Sequence, residues 1–319
     1  MYGSDLRPLD RPLARTLAET LTGTVAGALV AAAALLACAP AGPAASTEAS
    51  AGEVDRGPTV LHYEGDANGL WWDDAEQALY LADDNNNRIL RWSDADGFSA
   101  LATLPEVDPS GAGLGQLVRL DDGAFAVARF GDGTFGGIVV VDAGGATTEV
   151  PDLDPERRRI GLAVGPDGRL FEAWYLRIGM ERIGGVSEVH REGGEVDLVT
   201  GLGKPVGVLV VDDALVISDS DLGQLLRAPL ADPSALEVIA SADEVDLLAL
   251  GPAGAYFTGG AGGQLLEVAA DGSTSIFHAG FDEVRGVAYD GTHGRLFVAD
   301  HDQDEADGVR HLLHVLPVE

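Results

Sequence analysis

The stretch NGLWWDDAEQALYLADDNNNRILRW, residues 68–92, reads as three short strands separated by two tight turns. Apolar and aromatic runs of four to six residues alternate with Asp, Asn and Gln clusters, which favour turns by bonding their own backbone. Working outward, the opening of this stretch recurs at Gln116 (QLVRLDDG), Ile160 (IGLAVGPDG), Val206 (VGVLVVDD), Asp246 (DLLALGPAG) and Arg285 (RGVAYDGTHG), so the starts lie 48, 44, 46, 40 and 39 residues apart. A second strand follows each, at 78–83, 124–129, 169–174, 214–219, 255–260 and 295–300. Third strands such as RILRW, GIVVVD and QLLRAPL come next, and fourth strands include FSALAT (98–103), LEVIAS (236–241) and STSIFH (273–278). Repeats of about 43 residues with four strands each predict propeller blades, and six repeats predict an all-β, six-bladed ring. The sixth repeat ends after its third strand, VRHLLHVL (309–316), while TVLHYEG (59–65) stands unassigned at the other end. The N-terminal strand is therefore expected to complete the last blade and remove an exposed edge.

Ahead of this domain, TVAGALVAAAALLA (24–37) leads directly into Cys38, the chain's single cysteine. The run is shorter than the roughly 20 apolar residues of a membrane span and suits a removable signal core. Leu35 and Ala37 before Cys38 resemble a bacterial lipobox, although Leu36 stands where a smaller residue is commoner. That resemblance implies cleavage after residue 37, lipid on the Cys38 thiol, and a lipoprotein of the cell envelope, in the periplasm or at the cell surface, held on the membrane by the lipid. Residues 38–57 have no apolar periodicity and read as a flexible tether. The folded domain is expected to span 58–319.

The chain carries 20 Lys plus Arg against 52 Asp plus Glu, a net charge of −32. A field of that sign repels phosphate backbones and anionic headgroups, which argues against nucleic acid as a partner. With the lone cysteine lipidated, no disulfide can form. A monomer is expected.

At this point ALYLADDNNNRILRW resembles the NHL-repeat pattern through Ala82, Asp83, Asn87, Arg88 and Ile89, and residues 68–92 are similar to the opening blade of the regucalcin and gluconolactonase family of six-bladed propellers. The scaffold hosts lactonases, other hydrolases, lyases and passive binders, so it implies a fold more strongly than a function. Metal-dependent members of that family hold a divalent cation, calcium among them, with a glutamate opening the first inner strand, asparagines at the third and fourth, and an aspartate at the fifth that doubles as general base. Only the last matches here, as Asp246; the others are Asn68, the Arg157–Ile160 run, and Val206. Calcium needs six to eight oxygens, and this set falls short.

A ligand, small molecule or protein, is expected at the rim where inner strands begin and second strands end. The candidates there are Asn68, Gln116, Arg129, Arg159, Glu172, Asp219, Asp246, Arg285, Asp300 and His301. An extended loop, EAWYLRIGMERIGG (172–185), is expected to add Tyr175 and Arg177 beside Trp174, either as ligand contacts or as packing. No catalytic cysteine, nucleophile elbow, phosphate loop or HxxxH spacing is present among these residues or the seven histidines. DHDQDEAD (300–307) alternates carboxylates like part of a calcium loop but lacks its glycine and terminal glutamate. The reading is a rim-binding propeller without conventional lactonase chemistry. Its alternatives are a hydrolase with a rearranged ligand set around Asp246, Asn68 and Asp219, and an interaction scaffold that works through its acidic surface.

Overall fold

The computed structural model describes residues 58–107, 113–302 and 311–318. The signal core, Cys38, the tether and much of the 300–307 acidic run lie outside them. Within the described residues the chain forms 24 strands and two short 3-10 turns, arranged as six four-stranded antiparallel sheets.

The first blade is β2 (Ala67–Asp73), β3 (Ala78–Asp83), β4 (Arg88–Ser93) and β5 (Gly97–Thr103). The second is β6 (Leu114–Arg119), β7 (Phe125–Arg129), β8 (Gly137–Val141) and β9 (Thr147–Glu149), and the third is β10 (Arg158–Val164), β11 (Leu170–Ile178), β12 (Glu181–Val189) and β13 (Glu195–Leu202). The fourth and fifth run from β14 (Pro205–Val211), β15 (Ala214–Asp219), β16 (Gln224–Pro229) and β17 (Glu237–Ser241) to β18 (Leu248–Leu250), β19 (Tyr256–Gly260), β20 (Gln264–Val268) and β21 (Thr274–Ala279). The sixth holds β22 (Val284–Asp290), β23 (Arg295–Asp300) and β24 (Leu312–Pro317), with β1 (Thr59–Leu61) as its outer strand. Thr59, Val60 and Leu61 pair with Val315, His314 and Leu313, so the ring closes by the expected N-terminal strand.

Second strands are buried almost throughout, because each blade packs both faces against its neighbours. Aromatic residues fill the seam between the last blade and the first: Trp72 and Trp92 each lie 5.4 Å from Phe297, and Tyr63 stacks on Phe98 at 5.2 Å.

Two features place side chains at the channel. A Cβ on Gly69 would lie 2.5 Å from the Gln116 backbone, one on Gly115 2.4 Å from the Ile160 carbonyl, and one on Gly286 2.3 Å from the Asn68 carbonyl. Only glycine lets adjacent inner strands approach so closely. At the same places the ladder between inner and second strands slips, between Ala67 and Leu70, Leu114 and Leu117, Arg159 and Leu162, Pro205 and Gly207, and Val284 and Val287. Bulges of this kind re-aim side chains. Here they turn Asn68, Ile160, Val206 and Arg285 into the mouth of the channel.

Candidate functional site

The mouth is a cavity of about 320 Å³ lined by Asp66, Asn68, Asp84, Leu114, Phe130, Ile160, Tyr175, Lys204, Val206, Asp246, Arg285 and His301, with Gly113 and Gly115. Its size falls in the range of small-molecule sites, and a few convergent polar groups stand among apolar ones.

Asp246 enters from the strand-poor start of the fifth blade. Its Oδ1 accepts the Leu247 N–H at 2.8 Å, and its own N–H donates to Thr258 Oγ1 at 3.0 Å. Burial raises the proton affinity of the carboxyl, against the pull of Arg285, the Leu247 N–H and Lys204. Burial likewise raises Asp84, whose Oδ1 accepts the Leu114 N–H at 2.7 Å. Asn68 donates its amide to the Leu114 carbonyl at 2.7 Å. Arg285 is held by Glu283 at 2.9 Å. His301 Nδ1 lies 3.0 Å from Asp66 Oδ2, and this hydrogen bond raises the pKa of the imidazole although burial lowers it.

Of the residues expected at the rim, Asn68, Tyr175, Asp246, Arg285 and His301 line this cavity. The others lie elsewhere. Gln116 is buried against Gly69, with its Oε1 accepting the Leu117 N–H. Arg129 is buried and turned outward to Glu149 and the Pro105 carbonyl, beside a separate hollow. Arg159 and Glu172 are both fully buried and bonded to each other inside the third blade. Asp219 is a turn cap, accepting the N–H groups of Gly203, Lys204, Asp221 and Leu222. Asp300 does the same for Asp282 and Glu283. Second-strand aspartates thus tie down the connection between blades.

The insertion after the third blade's second strand is a hairpin extension, correcting the loop expected there. Ladder pairing runs unbroken from Leu170 with Val189 to Ile178 with Glu181, leaving only Gly179 and Met180 at the tip. Arg177 is exposed near that tip, Trp174 is buried with its Nε1 donating to Ser187 Oγ at 2.6 Å, and the Tyr175 ring reaches the mouth. None of the arginines at 157–159 lines the cavity: Arg157 lies over Trp174 at 3.7 Å, Arg159 is interior, and Arg158 bonds the Asp132 carbonyl at 2.6 Å behind the Phe130 and Tyr175 rings. Lys204 and Arg285 bring positive charge there instead.

Lys204, Asp66 and Asp84 escaped the sequence reading because they sit in connections rather than at strand ends. A usable signal existed for Asp84, which follows the repeat aspartate Asp83 within a turn whose Asn87 has a φ of +47°.

The donor set at the mouth does not suit a hard cation. Asp246 and Asn68 Oδ1 offer oxygen, but Ile160 and Val206 present carbon at the third and fourth inner strands, and Lys204 and Arg285 add positive charge beside Asp246.

No protein-family model matches the chain, and neither does any curated protein. Among solved structures it is similar to a calcium-binding regucalcin from Agrobacterium tumefaciens, with a TM-score of 0.64 at 19% identity over 83% of this chain and 92% of that one. A gluconolactonase from Xanthomonas campestris has a TM-score of 0.64 at 15% identity over 80% and 86% of the two chains. Virginiamycin B lyase from Staphylococcus aureus has 0.58 at 13% identity over 82% and 98%. The chain has the propeller fold of these regucalcin- and gluconolactonase-like proteins.

Proposed function

We propose that the channel mouth binds one small hydroxylated molecule carrying a carboxylate or a lactone carbonyl. The observation that carries this reading is the juxtaposition of Lys204 and Arg285 with Asp246 in one half-enclosed cavity. Two cations recognise a carboxylate or carbonyl oxygen, the guanidinium in a directional way. Asp246, Asp84 and Asn68 supply partners for hydroxyl groups, and Phe130, Tyr175, Ile160 and Val206 give apolar walls. The likeness to a gluconolactonase supports the ligand class.

Hydrolysis is the second reading, favoured by the burial-raised proton affinity of Asp246. A carboxylate moved toward neutral pH is a better general base. In this reading Asp246 takes a proton from water attacking a lactone carbonyl while Arg285 and Lys204 stabilise the developing oxyanion; collapse of the tetrahedral intermediate breaks the ring C–O bond, and Asp246 returns the proton to the departing alkoxide.

One assay separates the two. Ring opening of glucono-δ-lactone, followed with chelator present, is expected to run at the uncatalysed rate if the mouth only binds. Turnover above that rate which falls by about 10²-fold or more in Asp246→Asn would establish hydrolysis in place of binding alone.

A further inference from the structure

We propose that Asp66, His301 and His311 form a binding site for a first-row transition metal of the zinc class, at the seam where the N-terminal strand closes the ring. These three side chains each offer a ligand atom, and the atoms lie within 4.8 Å of one another. His301 Nδ1 stands 3.1 and 3.0 Å from the two Asp66 oxygens, and His311 Nδ1 stands 3.4 Å from Oδ1. Ligands about 2.0–2.1 Å from a tetrahedral zinc are separated by about 3.3 Å. Two of the three spacings already match; the two ring nitrogens lie within 4.8 Å of each other, and the stacked imidazoles must tilt out of their parallel arrangement to aim both lone pairs at one ion.

The sequence spacing hides this site. Asp300 pairs with Leu312 across β23 and β24, and continuing that register by one step sets His301 opposite His311. The imidazoles stack at 4.8 Å with 12° between their planes. Asp66 arrives from the far end of the chain, between β1 and β2.

Two of the three residues have their backbone tied down before any ion arrives. The Asp66 N–H donates to Asp83 Oδ1 at 3.0 Å and its carbonyl accepts the Asp84 N–H at 2.7 Å. The His301 N–H is fixed to the Glu283 carbonyl at 2.9 Å. These bonds fix the backbone from which the Asp66 and His301 side chains project. His311 Nδ1 also faces the Asp302 N–H at 3.1 Å. That nitrogen cannot accept from the amide and donate to Asp66 at once, so one contact is always mismatched. A cation bound by Asp66 and the Nδ1 lone pair relieves the repulsion between those two atoms and takes that lone pair from the Asp302 N–H.

Two imidazoles and one carboxylate select zinc, cobalt, nickel or iron(II) over calcium, which wants oxygen alone. This set differs from the calcium set implied at the inner strands, and two of its members, Asp66 and His301, also line the mouth, so an ion here sits at the edge of that cavity. Because its ligands come from both ends of the ring, occupancy also strengthens closure.

The test uses the full chain stripped with chelator and titrated with Co²⁺, then Zn²⁺. One equivalent of Co²⁺ is expected to give visible d–d bands that Zn²⁺ abolishes, with a rise in melting temperature. Zinc should shift the ring resonances of His301 and His311, which reads the site without any variant. His301→Ala and His311→Gln should each weaken zinc by more than about tenfold, while Arg177→Ala, at the exposed hairpin tip, leaves zinc affinity unchanged. Absence of stoichiometric binding, or binding retained in both histidine variants, overturns the proposal. Titration of the chelator-stripped protein with D-gluconate tests the mouth separately, since no metal is present in that measurement.

Discussion

Replacing Arg159 with alanine is expected to destabilise the folded chain by about 3–5 kcal/mol, the usual cost of stranding one side of a buried ion pair. Arg159 is fully buried, and its Nη1 bonds both Glu172 Oε1 and Glu195 Oε2, the latter at 2.7 Å, while Nη2 donates to the Asp154 carbonyl at 2.8 Å. The truncated side chain also leaves a cavity among these carboxylates. Urea denaturation reads the loss; a change below about 1 kcal/mol, the scale of an exposed pair, would mean that the network contributes nothing.

The same network has a pH signature. Burial pushes Glu172 up to about 8 from 4.5, against the attraction of Arg159. Burial also raises Glu195, but hydrogen bonds with Glu172 and Arg159 outweigh it and hold that group low. The proton therefore resides on Glu172. A carboxyl whose folded pKa exceeds its unfolded value stabilises most below the unfolded value, and that contribution is lost as pH climbs through the folded one. Glu172→Gln, which cannot ionise, should accordingly gain stability relative to the parent between about pH 4.5 and 8. A difference that stays flat across this window would contradict the assignment.

Deleting residues 58–65 is the second large effect. The truncation removes β1 and leaves the outer edge of β24 unpaired. It also removes Tyr63, which is 9% exposed, stacks on Phe98 at 5.2 Å and accepts the Ala67 N–H at 2.7 Å. An aromatic side chain cut from a core costs about 3–5 kcal/mol, before the lost ladder is counted. Loss of cooperative unfolding or aggregation is expected on heating. An unchanged denaturation midpoint would show that the ring does not depend on this closure.

The ring itself was legible in the sequence because propellers repeat their turn chemistry. The aspartates at 83, 219 and 300 recur at the ends of second strands, and the glycines at 69, 161, 207 and 286 recur one position after the inner-strand openings. The site was legible only in part. Strand-end position was the guide to the rim, and it served for Asn68, Asp246, Arg285 and His301. It did not serve for Asp219 and Asp300, since the residue that ends a second strand is also the one best placed to cap the next connection. Nor does a two-residue alternation foretell the bulges that decide which inner-strand residue faces the channel. The segment 172–185 reads as a loop rather than as the paired continuation of its flanking strands because Gly179, Gly184 and Gly185 interrupt its apolar pattern. Two of these glycines are required by packing: a Cβ at Gly184 would meet Pro205 at 2.3 Å, and one at Gly185 the Val199 carbonyl at 2.3 Å.

The central claim is that the cavity around Asp246, Lys204 and Arg285 takes a small hydroxylated acid, and calorimetric titration with D-gluconate tests it most directly. Saturable binding with one site per chain is expected, weakened by more than about tenfold, or roughly 1.4 kcal/mol, in Arg285→Met and in Lys204→Met. Absence of binding by the folded parent, or affinity unchanged in both variants, would contradict it.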